Sequence, residues 1–155
     1  MEAIISQIHK FLLKNKLTIA VAESCTGGLT ASLLTQLSGS SNYFILGIAA
    51  YHNKVKTSIL KVPSGLIAKK GAVSTEVAEK LAQGVKKLAK TDFAIGITGI
   101  AGPTGSSPAK PIGTVFIAVA NKNKTICKEF HFTGNRSAIR KKAALKSLEV
   151  LKELL

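Results

Sequence analysis

Twice along this chain a short apolar run opens directly into a glycine-rich loop, a pairing that narrows the available folds more than any other feature of the sequence. Thr18-Ile19-Ala20-Val21-Ala22 enters Glu23-Ser24-Cys25-Thr26-Gly27-Gly28, after which Leu29, Leu33, Leu34 and Leu37 recur at helical spacing. Phe93-Ala94-Ile95-Gly96-Ile97 enters Thr98-Gly99-Ile100-Ala101-Gly102-Pro103-Thr104-Gly105. Runs of this length suit buried strands, so each unit reads as a strand whose carboxyl end turns through glycines. Tyr43 to Tyr51, set off by Ser38-Gly39-Ser40-Ser41, reads as another buried strand.

Helical patterns fill the gaps. Ile4 to Lys14 gathers Ile4, Ile5, Ile8, Phe11, Leu12 and Leu13 mostly on one face. Asn53 is placed to cap a short helix through Leu60, and Pro63 to Val73 is a mixture of helical turn and loop. Ser74-Thr75-Glu76 supplies a capping hydroxyl and an early acid for a helix to about Lys90, with Val77, Leu81, Val85 and Leu88 on its apolar face. Thr114–Ala120 and Thr125–Phe132 are β-rich and joined by the turn Asn121-Lys122-Asn123-Lys124. From Ser137 to Leu154 an apolar stripe of Ile139, Ala143, Leu145, Leu148, Leu151 and Leu154 closes the chain as a long helix.

Helices alternating with strands before a terminal hairpin predict an α/β protein. The expected form is a three-layer α/β/α sandwich on a mixed, mostly parallel sheet of about five strands, one of them antiparallel. Residues 1–155 are expected to form one stand-alone domain, since 46% are hydrophobic and no linker or repeat divides them. Ligands in such sheets sit beyond the carboxyl ends of the strands, where Ser24, Tyr51 and Thr98 fall.

Charge and cysteine content restrict the function further. The net charge of +14 attracts polyanions, but the lysines are scattered, and aromatics make up only 5% with no Trp. Specific nucleic-acid binding is therefore not expected. Only two of the 22 basic residues are arginines, Arg136 and Arg140, four apart on one helical face. A planar guanidinium kept where lysine serves almost everywhere points to a phosphate or carboxylate partner, although two chance surface arginines would look the same. Cys25 and Cys127 are too few for a disulfide framework or a zinc site. A reducing, cytoplasmic setting follows, and neither a leader nor a membrane-spanning run is expected.

Five motifs occur in order: Ala22-Glu23-Ser24-Cys25-Thr26-Gly27-Gly28, Tyr51-x-Asn53-x-x-Lys56, Gly71-Ala72-Val73-Ser74, Thr98-Gly99-Ile100-Ala101-Gly102-Pro103 and Lys110-Pro111-Ile112-Gly113-Thr114-Val115. In order and spacing this set resembles the CinA C-terminal family across essentially the whole chain. The resemblance implies hydrolysis of nicotinamide mononucleotide to nicotinic acid mononucleotide and ammonia, a step of pyridine nucleotide salvage. It also implies a serine assisted by a lysine and a tyrosine, no metal or other cofactor, no membrane partner, and a homodimer or higher homo-oligomer.

The residues themselves fit that chemistry. Ser24 stands at a strand-to-helix turn, where backbone N–H groups of Cys25 to Gly27 can face a developing oxyanion. The same Ser before Thr-Gly-Gly would equally suit a helix cap or a phosphate cradle. Lys56, in the first turn of a helix capped by Asn53, would have its pKa lowered and could serve as the base. Lys54 is the alternative, and Tyr51 could orient or relay a proton. Cys25 is the rival nucleophile. His9, His52 and His131 are dispersed, and apart from Glu23 no acid, Asp92 included, is placed to complete a histidine triad.

For substrate binding the expected residues are Cys25, Thr26, Gly27 and Gly28 on the first loop and Thr98, Gly99 and Gly102 on the second. Arg136 or Arg140 is expected to hold the phosphate. No Gly-Lys-Ser/Thr sequence follows either loop, which sets aside a Walker-type triphosphatase. The competing readings are a non-catalytic nucleotide-binding or regulatory domain and a basic module associated with nucleic acid.

Overall fold

The computed structural model describes residues 2–155. In chain order the elements are α1 (Glu2–Asn15), β1 (Ile19–Glu23), α2 (Leu29–Leu34), β2 (Phe44–Ala49), α3 (Asn53–Ser58), α4 (Ser64–Lys70), α5 (Thr75–Ala89), β3 (Phe93–Gly99), β4 (Thr114–Ala120), β5 (Thr125–His131) and α6 (Arg136–Lys152). One sheet has the order β2-β1-β3-β4-β5. β2, β1 and β3 are mutually parallel, and β4 runs antiparallel to both β3 and β5. The expected three layers, with one reversed strand, are the observed architecture.

Alternation along the strands divides the interior unequally between the two faces. Ile19, Val21, Ile95, Ile97, Val115, Ile117 and Val119 pack towards α1, α2 and α6. Ala20, Ala22, Ala94, Ala118 and Ala120 face the other way, against α5 and its neighbours. Small side chains on that face let α5 lie close to the sheet. At Gly96 the approach is closest: a Cβ there would stand 2.4 Å from the Ala78 carbonyl oxygen and 2.5 Å from the Ala82 nitrogen. Val77, Leu81 and Val85 of α5 are fully buried in return, each contributing about 1.5–3 kcal/mol of apolar burial.

Several elements differ from their sequence reading. β2 is an edge strand instead of a buried one, with Ile45 50% exposed, because an apolar run does not reveal whether it has one strand neighbour or two. Tyr43 precedes it and is buried, its hydroxyl donating to the Leu34 carbonyl. α2 stops at Leu34, where the Thr35 hydroxyl bonds back to the Ala31 carbonyl at 2.8 Å. Residues 64–70 of the mixed stretch form the regular helix α4. On α6, Leu145 is only half-buried, whereas Ser147 is buried and bonds the Thr30 hydroxyl and the Ala144 carbonyl. Ser74 caps α5 as expected, accepting from the Val77 N–H.

The topology gathers the functional loops. β1 and β3 are neighbours, and the chain leaves β1 for α2 on one face but leaves β2 for α3–α5 on the other. Departures to opposite faces open a crevice at the carboxyl edge of the parallel strands. Among the described residues no helix is long and apolar enough to cross a membrane.

Candidate active site

The first loop begins where Ser24 leaves β1 with its N–H still donating to Ile97 of β3 at 2.9 Å. Glu23, 1% exposed, turns its carboxylate over the start of α2 and accepts from the N–H groups of Gly28 (3.1 Å), Thr30 (3.0 Å) and Ala31 (2.8 Å). A buried carboxylate is stable there because charge-assisted hydrogen bonds replace its water. From the opposite side Arg140 donates through Nε to the Cys25 carbonyl and through Nη2 to the Thr26 carbonyl, both at 3.0 Å. Gly27 makes this fit possible: its φ is +58°, and a Cβ would lie 3.0 Å from Arg140 Nη2.

The N–H groups of this segment can be accounted for one by one. Gly27 donates to the Ser24 carbonyl and Leu29 to that of Thr26, while Glu23 takes those of Gly28, Thr30 and Ala31. Those of Cys25 and Thr26, immediately after Ser24, make no backbone hydrogen bond among the described residues. The Thr26 hydroxyl is likewise buried without a partner.

Lys56 comes from α3. The cap of that helix is His52, not Asn53: the His52 Nδ1 accepts from the Lys54 N–H at 3.1 Å, and Asn53 is the first helical residue. Lys56 therefore lies at the end of the first turn and folds back on it. Its Nζ donates to the Tyr51 carbonyl (3.1 Å) and to Asn53 Oδ1 (3.4 Å), and the residue is 1% exposed. Burial holds its pKa below the ordinary lysine value. Lys54 is exposed and does not line the cleft.

A cleft of about 300 Å³ brings Ser24, Cys25, Tyr51, Lys56, Thr98, Gly99, Gly102 and Arg136 together. Thr26, Gly27, Gly28 and Arg140 are not part of its lining. Tyr51 stands at the mouth, 58% exposed, with its hydroxyl accepting from Arg136 Nη2 at 2.6 Å. Arg136 Nη1 donates to the Gly102 carbonyl at 2.8 Å, so one guanidinium joins the tyrosine to the second loop. The Thr98 hydroxyl is committed to the Ala72 carbonyl at 2.7 Å. Asn53, Ala72, Val73 and Thr104 also line the cleft without having been assigned there from sequence. Gly71-Ala72-Val73-Ser74 was the signal for two of them, but apolar side chains in a motif do not announce a wall.

The rival assignments fare differently. Cys25 is buried against the cleft floor, and burial pushes its thiol up to about 12, so it stays protonated at neutral pH. His9 lies beside the Tyr43 hydroxyl, and His131 contacts Thr114 and Glu129, both outside the cleft lining. Asp92 binds Thr18 at the opposite end of β1, and Glu23 is consumed in holding α2. Among the described residues no histidine–carboxylate pair lines the cleft with Ser24.

Comparison with known proteins gives this arrangement a context. The sequence matches the CinA C-terminal domain over residues 1–155. The chain belongs to this family. A CinA-like protein of Geobacter metallireducens is 46% identical over 154 residues, covering 99% of this chain and 37% of its own length. A putative competence-damage inducible protein of Thermoanaerobacter pseudethanolicus is 45% identical over 148 residues, covering 96% of this chain and 36% of its own length. The chain thus spans little more than a third of these curated relatives. Among solved structures, the competence/damage inducible protein CihA from Agrobacterium tumefaciens superposes with a TM-score of 0.96 at 35% identity, over 99% of this chain and 94% of its own. A CinA superfamily protein from Escherichia coli gives 0.94 at 32% identity, over 98% and 88%.

This CinA C-terminal domain therefore presents a hydroxyl, a buried amine, unpartnered backbone N–H groups and a guanidinium around one cleft. Together they can supply a nucleophile, a base, donors for an oxyanion and a ligand for an anionic group. The groups of three or more His, Cys, Asp or Glu side chains that would hold a metal ion do not occur among the described residues.

Proposed function

We propose that this chain is an amidohydrolase acting on nicotinamide mononucleotide, which it converts with water to nicotinic acid mononucleotide and ammonia. The observation that carries the reading is the meeting of Ser24 with Lys56, a buried amine of lowered pKa, in a single cleft. A lysine that gives up its proton more readily is the base a serine needs at neutral pH.

In this reading the neutral Lys56 amine takes the Ser24 hydroxyl proton as Oγ bonds to the amide carbon, and the carbonyl oxygen becomes an oxyanion. Collapse breaks the carbon–nitrogen bond, and the Lys56 proton leaves with the nitrogen as ammonia. Water, deprotonated by the same amine, then attacks the Ser24 ester to release the carboxylate and restore the serine. Tyr51 faces this exchange from the mouth of the cleft. The phosphate of the substrate suits Arg136 and the second loop, where the N–H groups of Ala101, Gly102, Thr104 and Gly105 have no acceptor among the described residues.

Ammonia release from nicotinamide mononucleotide in metal-chelated buffer tests the reading, with the native chain set beside Ser24→Ala. The expected result is metal-independent release that falls by about 10⁴-fold or more in the variant. A folded native chain that binds the mononucleotide without releasing ammonia would instead make this a nucleotide-binding domain.

A further inference from the structure

Arg136 and Arg140 lie four residues apart on α6, yet only Arg136 reaches the cleft. Arg140 spends two arms of its guanidinium on the carbonyls of Cys25 and Thr26, a contact across more than a hundred residues of sequence. In a trans peptide unit the C=O and the following N–H point in opposite directions. Fixing the Cys25 and Thr26 oxygens towards α6 therefore fixes the N–H groups of Thr26 and Gly27 away from it. The Gly27 N–H shows which side that is, since it meets the Ser24 carbonyl at 3.1 Å. The Thr26 N–H is thus held inside the turn, in a residue that is fully buried, whereas Cys25 lines the cleft beside Ser24 and its N–H makes no backbone hydrogen bond among the described residues.

We propose that Arg140 is a positioning residue which, by holding the carbonyls of Cys25 and Thr26, fixes the turn after Ser24 and with it the place of the Ser24 hydroxyl and of Cys25, with its N–H, in the cleft. It does not bind the phosphate. The assignment rests on the amidase reading above, and it replaces the sequence expectation that Arg140 is a substrate ligand. It explains why this position is an arginine in a chain that otherwise uses lysine: a rigid fork donates to two neighbouring carbonyls at once, whereas an ammonium on a flexible stem does not hold both in one geometry. It also explains Gly27, whose positive φ and missing Cβ leave room for Nη2.

The test compares native protein with Arg140→Lys, Arg140→Met and Arg140→Ala, each checked for folding by thermal melting. kcat for ammonia release is expected to fall about 100-fold in Arg140→Met and less in Arg140→Lys. KM, and the affinity for the mononucleotide measured in a Ser24→Ala background, should change by less than about threefold. Millimolar guanidinium should restore part of the rate to Arg140→Ala and none to Ser24→Ala. If Arg140→Met melts below the assay temperature, Arg140→Lys carries the comparison. An active native enzyme whose Arg140 variants keep kcat overturns the proposal, as does a loss of affinity for the mononucleotide that spares its unphosphorylated riboside. A silent native control is a different failure, removing the amidase reading and the assignment with it.

Discussion

The loop after β1 and the loop after β3 are both rich in glycine and both open onto the cleft, but they are held in different ways. In the first, Glu23 and Arg140 grip the backbone from opposite sides, and only the Cys25 and Thr26 N–H groups between Ser24 and Ala31 are left over. In the second, the stretch from Ala101 to Gly105 donates no backbone hydrogen bond to the described residues, and its one side-chain tie is Arg136 on the Gly102 carbonyl. A loop fixed by buried charge keeps its donors in place before substrate arrives, which suits transition-state stabilisation. A loop with spare donors and one guanidinium suits recognition. The comparison assigns chemistry to the first loop with Lys56, and affinity to the second.

If that division is right, variants around the first loop change kcat or stability, and variants on the second change KM. The largest effect is expected at Lys56. Lys56→Met keeps the volume and removes the base, so kcat should drop about 1,000-fold with affinity for the mononucleotide retained. Calorimetric titration beside a steady-state assay reads both quantities, and a weakened affinity at near-native kcat would undo the division. Next comes Glu23→Gln, which leaves one acceptor oxygen for three N–H groups and turns an NH₂ towards the remainder. A loss of about 2–3 kcal/mol is expected in urea unfolding. A change within about 0.5 kcal/mol would mean that the carboxylate is not what holds the loop.

How much of this was legible beforehand differs between the same two regions. The strand–glycine–helix pattern placed Ser24, Tyr51 and Thr98 at strand ends, and the cleft contains all three. What could not be read was where side chains from distant elements would land. Glu23 read as the one acid open to a histidine triad because its three N–H partners are backbone groups of the following residues, invisible to any pattern of residue types. Arg140 looked interchangeable with Arg136 because a four-residue offset puts both on one helical face, while the packing of α6 against α2 decides which meets a carbonyl and which a cleft. β2 failed for a related reason, since its edge position depends on the strand order and not on its own sequence.

A smaller effect sharpens the second loop. Arg136→Lys keeps the charge but loses the fork that spans Tyr51 and Gly102. KM for the mononucleotide should rise about tenfold while that for the unphosphorylated riboside stays near its native value. Equal losses for both would take the phosphate away from Arg136 and leave it as a brace for Tyr51.

The smallest expected effect concerns pH and decides whether Lys56 is the titrating base. At low pH a protonated Lys56 is inactive, so kcat/KM rises with pH through its pKa, which burial places below the ordinary lysine value. Asn53 Oδ1 lies 3.4 Å from Nζ. In Asn53→Asp a carboxylate at this distance favours the ammonium, so the acid limb should move to higher pH, with a severalfold lower rate at neutral pH and an unchanged plateau. The sign follows from the charge alone, because a new anion can only make the proton harder to remove. An acid limb that stays in place while the plateau falls would mean that Asn53 shapes the cleft and that another group sets the pH dependence.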